Sequence, residues 1–455
     1  MITVLAFIVT LGVLIVIHEY GHYRVAVACG VKVLRFSVGF GRVLLRRQSH
    51  PDATEFVLCA LPLGGYVRML DEREGEVPAD QLSRAFNRQT LWRRAAIVAA
   101  GPIANLLLAI VLYATAHWIG IEEPKAVLGP PAAGSLAEAA GQRSGDWVRA
   151  LSRDGADWQD VRSLTDLRWE VTQAALHGET LQLQLTDRDG RGSRTLRLDL
   201  QRLASRDVDA ALMKQIGLGP AFSEPVLGDV KPGGPGAAAG LRAGDRVISV
   251  EGAPVTDAQT LRERIRASLQ AGVPQEMSWV IERKGALQTL KVKPRAQADA
   301  GQTVGRIDAV VGAPPELVTV RHGAVEGLVR GASRTWEVSA LTVRMLGRMI
   351  VGQASLKNLS GPLTIADYAG QSAQQGLAYY LGFLALVSVS LGVLNLLPLP
   401  MLDGGHLMYY IFEAVTGRPV SDLWLARLQR GGIALLLMMM SVALYNDVAR
   451  LLGLH

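Results

Sequence analysis

Three side chains at the end of a long apolar run are of the types that hydrolytic chemistry needs. His18, Glu19 and His22 follow sixteen almost wholly apolar residues, Ile2 to Ile17. On a helix, residues four apart lie on one face. The two imidazoles therefore converge on one point, as a bidentate zinc site requires. Glu19 sits about 100° round the helix, where it can reach a water on the ion without being a ligand. His-Glu-x-x-His on a helix is the arrangement of zinc hydrolases. Ionisable groups at membrane depth are costly and by default functional. The alternative reading is a pair of interface histidines capping an anchor helix.

A catalytic zinc usually takes three protein ligands and keeps one position open. The third should come from another segment at matching depth. NLLPLPMLDGGH, Asn395 to His406, offers Asp403 just after an apolar run. His406 is the rival, although its place behind Gly404-Gly405 equally suits a structural hydrogen bond. Pro398 and Pro400 remove backbone donors and break a helix just before Asp403. Irregular backbone at membrane depth must line a cavity or be buried, so this stretch could hold an extended substrate. The Asn395 amide could position substrate or a scissile carbonyl; its alternative is a polar helix–helix contact.

The elements that must position these residues are membrane spans. The chain has 455 residues, 49% hydrophobic and 19% charged, which suits a protein part membrane and part soluble. Four stretches are apolar enough to cross a bilayer, which takes about 20 residues. They fall within residues 1–27, 93–119, 376–415 and 430–451. No basic residue precedes the first, so it is read as a retained anchor rather than a cleaved signal. The net charge of +6 includes no basic tract of the nucleic-acid-binding kind, so no nucleic-acid partner is expected. Cys29 and Cys59 make neither a disulfide framework nor a metal knuckle. Lys32, Arg35, Arg42, Arg46 and Arg47 in the 28–92 loop, and Arg418, Arg427 and Arg430 between the last two spans, predict that both loops are cytoplasmic. Both termini and the stretch from about 120 to 375 would then face the periplasm of a Gram-negative cell. His18, His22 and Asp403 all fall near the cytoplasmic ends of their spans.

The large outer loop matches itself. AAGQRSGDWVRAL, Ala139 to Leu151, aligns with AAGLRAGDRVISV, Ala238 to Val250, and each is followed by an acid–glycine pair. Each copy reads as a helical turn ending at glycine, a tight Gly-Asp turn, then an alternating strand. The copies resemble PDZ domains, at 124–203 and 222–296. Such domains take peptides by adding a strand to a sheet edge or act as spacers that gate access; gating is the expected role here. Beyond them, 320–372 carries an amphipathic helical pattern from Ala324 to Gln353. It is expected on the membrane surface or packed on the PDZ units.

HEYGH in the first span, GPIAN (Gly101 to Asn105) in the second and NLLPLPMLDGG in the third resemble the site-2 protease family of zinc intramembrane metalloproteases. SVGFG (Ser37 to Gly41), LPLGGYVRM (Leu61 to Met69) and LSGPLTIA (Leu359 to Ala366) fit the same family, so the likeness covers essentially the whole chain. The resemblance implies zinc on His18, His22 and Asp403, with Glu19 as catalytic acid and base. It implies that Gly64, Gly65 and Tyr66 lie in a membrane-dipping β element, within 28–92, that presents an edge to substrate. It further implies single-span substrates already trimmed on the outer side, such as an anti-sigma factor or remnant signal peptides, cleaved within the inner membrane. The expected fold is a multi-pass α-helical membrane protein of four transmembrane helices with two tandem PDZ domains in its extracytoplasmic loop. The rival function is a PDZ-bearing scaffold, or another metal-binding membrane protein without proteolytic activity. No GxSxG, P-loop or dinucleotide fingerprint is present.

Overall fold

The computed structural model describes residues 2–451 except 204–209, 271, 300–301 and 352–360. Leu359 and Ser360 of LSGPLTIA, and the last two residues of the amphipathic pattern, Gly352 and Gln353, lie outside the described residues. Two compact units result, Met1–Ile121 with Arg321–His455, and Glu122–Val320.

The first unit holds α1 (Ile2–Ala28), strands β1 (Val33–Arg47) and β2 (Glu55–Met69), then α2 (Leu91–Ile119). After the second unit come α3 (Ala324–Ile350), α4 (Pro362–Gln375), α5 (Leu377–Leu396), α6 (Asp403–Thr416) and α7 (Asp422–Leu451). Among the described residues, α1, α2, α5 and α7 are long and apolar enough to cross a membrane. The third apolar run is thus two helices, α5 and α6, separated by a break at 397–402 that contains both prolines.

Small residues let the helices meet. A Cβ on Gly21 of α1 would lie 2.4 Å from the Ala100 carbonyl of α2, and one on Gly392 of α5 would lie 3.0 Å from the Pro102 carbonyl. Ser388 of α5 donates to the Asn105 carbonyl at 2.7 Å, fixing the same register. The amphipathic helix α3 packs along α2 and α5. Gly327 and Gly331 make the approach: a Cβ would lie 2.4 Å from Trp118 Nε1 at the first and 2.7 Å from the Ile110 carbonyl at the second. Val338 of α3 joins Ala109, Tyr113, Ala385, Val389 and Val393 in one apolar cluster.

Strands β1 and β2 do more than form a hairpin. Residues 33–38 pair with 55–58 on one edge and with 65–69 on the other, and 43–47 pair back onto 56–59. Two long strands therefore curl into a sheet of four segments. The bend sits at Gly39, at φ +87°, where a Cβ would lie 2.5 Å from the Leu61 carbonyl. This curling leaves 65–69 on an outer edge, beside α1.

The second unit contains two four-stranded antiparallel sheets of the same order. The first runs Gln159–Asp160, Trp147–Ser152, Thr180–Thr186, Arg194–Asp199; the second runs Ala253–Pro254, Arg246–Val250, Met277–Arg283, Ala286–Val292. Each carries a helix, Leu164–His177 or Ala258–Arg266, over its own apolar core. Ser163 and Asp257 cap these helices by accepting from the backbone N–H groups of Asp166 and Thr260. The Gly-Asp pairs fall at equivalent turns. Asp146 accepts from the Arg143 N–H at 2.7 Å and pairs with Arg194. Asp245 accepts from the Arg242 N–H at 2.8 Å and takes a two-pronged contact from Arg283, 2.7 Å on each prong.

Burial pushes the Asp245 carboxyl up, but the Arg283 guanidinium and the Arg242 N–H outweigh it and hold it below the usual carboxylate range. A lowered folded-state value means that its stabilisation is complete above the ordinary aspartate range. It is lost as pH falls through that lowered value. Asp245→Asn should therefore cost about 1–3 kcal/mol at neutral pH. The gap in unfolding temperature between wild type and variant, followed from pH 7 to pH 3, should close on acidification. A gap independent of pH would refute the ionic account.

Candidate metal centre

α1 reaches the site through its last turns, where His18 and His22 share a face and Glu19 stands beside them. His22 fits because residue 101 of α2 has no side chain: a Cβ there would lie 2.3 Å from His22 Nε2. The His22 Nδ1–H donates to the Ile97 carbonyl at 2.8 Å. That bond fixes the tautomer and turns the Nε2 lone pair into the cavity. Pro102, inside α2, lacks the N–H that would bond back to the Val98 carbonyl, next in the chain to the one that His22 uses.

Asp403 arrives from the other side as the first residue of α6. The break before it is tightly built. Met401 holds a φ of +85°, a left-handed conformation uncommon for a residue with a side chain. Gly404 and Gly405 lie against the returning backbone, where added Cβ atoms would sit 2.1 Å from the Leu397 carbonyl oxygen and 2.4 Å from that of Leu399. Gly432 of α7 closes on the Pro400 carbonyl in the same way, at 2.5 Å.

The result is a convergence of three donor atoms. Asp403 Oδ2 lies 3.2 Å from His18 Nε2 and 3.5 Å from His22 Nε2, and the two Nε2 atoms are 3.2 Å apart. Ligands about 2.0–2.1 Å from a tetrahedral ion stand about 3.3–3.4 Å from one another. The three atoms thus already hold the edges of such a cage. Among the described residues this is the one group of three or more such side chains that could hold a metal ion. Two imidazoles and one carboxylate, with a side left open, suit zinc at a catalytic centre.

Around the donors lies a cavity of about 480 Å³, lined by His18, Glu19, His22, Gly65, Tyr66 and Asp403 among others. Glu19 meets the outer edge of the curled sheet at Gly65, and with Val67 of the same strand it faces the cavity. Gly65 permits that contact, since a Cβ there would lie 3.1 Å from Glu19 Cγ and 2.7 Å from the Ser37 carbonyl. Tyr66 stacks on Phe40 with ring centres 6.0 Å apart. Of the other residues singled out in the sequence, His406 lines the cavity but is not one of the three converging donors. Gly64, Asn395, Pro398 and Pro400 are not among the lining residues. Asn395 is half-buried at the end of α5, and Pro400 backs the break against α7.

Sequence reasoning missed Arg94 and Glu413. They form an ion pair of 2.6 Å between α2 and α6, on the wall of the same cavity, and Arg94 also lies over the Tyr410 ring. Arg94 reads in the sequence as a charge flanking a span; its partner on α6 carried no signal of its own.

The model of peptidase family M50 matches residues 6–439. The chain belongs to peptidase family M50. Over the whole of both chains it is 46% identical to a protein of Ralstonia nicotianae whose name calls it a candidate zinc metalloprotease. It is 40% identical to the regulator of sigma-E protease RseP of Escherichia coli and 39% identical to the regulator of sigma E protease of Salmonella typhi, over 98% of each chain in both cases. As an M50 peptidase the protein is a zinc metalloprotease with membrane-spanning helices, and the donor set above agrees with that ion.

Proposed function

We propose that this M50 peptidase hydrolyses peptide bonds within the membrane, with zinc on His18, His22 and Asp403 and with Glu19 as acid and base. The observation that carries the reading is the approach of three ligand atoms, 3.2–3.5 Å apart, from two helices that are distant in sequence. Zinc supplies Lewis acidity, acidifying water and polarising the scissile carbonyl. Glu19 takes the proton of the attacking water and returns it to the leaving amine. Its close fit against Gly65 keeps the side chain at the cavity. A helical substrate must unwind first, because its carbonyls are hydrogen-bonded and shielded. The edge at Gly64, Gly65 and Tyr66 replaces those bonds by strand pairing, and the irregular backbone around Pro398 and Pro400, with the Asn395 amide, steadies the extended segment. Single-span proteins already shortened on the outer side are the substrates this scheme favours. An anti-sigma factor and remnant signal peptides are the candidates, in keeping with relatives named for regulation of sigma-E.

The two self-matching units serve as PDZ domains that gate entry from the periplasmic side. Their common strand order and matched Gly-Asp turns support that reading. The protein sits in the inner membrane with both termini periplasmic, as the charge pattern of its loops favours.

Removal of the ion with a chelator should abolish cleavage of a reconstituted single-span peptide, and added zinc should restore it; cleavage that survives metal removal refutes the reading. Deletion of Glu122–Val320, bridged by a short linker, should extend cleavage to substrates that keep a folded outer domain. Unchanged selectivity would remove the gating role.

A further inference from the structure

One buried amide beside the metal centre has no role in the scheme so far. Asn105 lies on α2, one turn beyond Gly101, and is completely buried. Its Nδ2 stands 3.2 Å from His18 Nδ1, while its Oδ1, also buried, meets no donor. The two ends of an asparagine amide have the same shape, so chemistry decides which faces the ring. His18 turns Nε2 toward Asp403 and His22. An imidazole that offers Nε2 to a cation carries its proton on Nδ1 and needs an acceptor there. With Oδ1 toward the ring, Asn105 is that acceptor. As placed, the amide oxygen has no donor, and the contact with His18 settles the choice. His22 already has its counterpart in the Ile97 carbonyl, two turns earlier on the same helix.

We infer that Asn105 is a positioning residue for the metal: its amide oxygen accepts the His18 Nδ1–H and fixes that imidazole with Nε2 free to bind. Two positions on one face of α2, two turns apart, thus orient both histidines, one through a backbone carbonyl and one through a side chain. The hydrogen bond from Ser388 to the Asn105 carbonyl holds this turn against α5, which leads to Asp403. The inference rests on the zinc reading of the site.

The test is zinc affinity of the purified full chain, measured by competition with a chromophoric chelator, for wild type, Asn105→Leu and Asn105→Asp. Asn105→Leu keeps the bulk and removes the acceptor; it should bind zinc about 10–100-fold more weakly. Asn105→Asp can only accept at the ring, and should hold zinc close to the wild-type affinity. Asn105→Ala carries the same expectation as the leucine variant if leucine is not accommodated. A packing role would instead make the charged aspartate at least as harmful as leucine, and that result overturns the inference. Equal affinities in all variants also overturn it while leaving the zinc site intact. A wild-type chain that binds no zinc overturns both.

Discussion

Glu19→Gln is expected to leave zinc in place and to slow cleavage of a membrane-embedded peptide by about 10²–10⁴-fold. Glutamine keeps the size of the side chain but cannot take a proton from water. It can still pack against Gly65, so the sheet edge that Glu19 contacts should stay where it is. The three donors, His18, His22 and Asp403, do not include this residue, so metal content should not fall. Metal analysis and cleavage of the same purified sample separate the outcomes. Zinc retained with activity lost supports the acid/base role. Zinc retained with full activity would move the protein into the class of metal-binding membrane scaffolds. Loss of zinc would mean that Glu19 belongs to the cage after all.

The parts of this centre that could be read in advance are those set by local rules. Helical periodicity alone places His18 and His22 on one face. The apolar run before Asp403 marks it as a span-end carboxylate, and the structure brings it to the histidines although nearly 400 residues separate them. The parts that could not be read depend on which turn of one helix faces another. Nothing in GPIAN says that the Ile97 carbonyl, the bare Cα of Gly101 and the Asn105 amide all look toward α1. That follows only once Gly21 is seated against Ala100. The curling of β1 and β2 was hidden for a related reason. Alternation over 15 residues specifies a strand but not where it folds back, and only Gly39 and Gly41 hinted at the bend. The Gly327-x-x-x-Gly331 spacing was present too, but the amphipathic pattern around it did not say which helix those glycines would seat against, and the fold supplies α2.

Asp403→Ala should strip the site of zinc, and His406→Ala should not. The carboxylate supplies one of three donors and the negative charge that neutralises half of a divalent ion; two neutral imidazoles four residues apart remain. Losing one ligand of three is expected to weaken retention by well over the roughly 10–100-fold typical of a lost outer-shell contact. His406 shares the cavity and lies edge-on to Tyr409, with ring centres 5.9 Å apart, but stands outside the converging trio. Its removal should therefore change zinc content little. The scaffold that aims Asp403 should be as exacting as the carboxylate itself. A Cβ on residue 404 would sit 2.1 Å from the Leu397 carbonyl oxygen, and backbone rather than a mobile side chain would have to yield. Gly404→Ala should accordingly displace the start of α6 and lower zinc retention with every ligand still present. If the alanine at 404 binds zinc as wild type does, the tight break is not what holds the carboxylate in place. If His406→Ala loses the ion while Asp403→Ala keeps it, the ligand assignment must be exchanged between them.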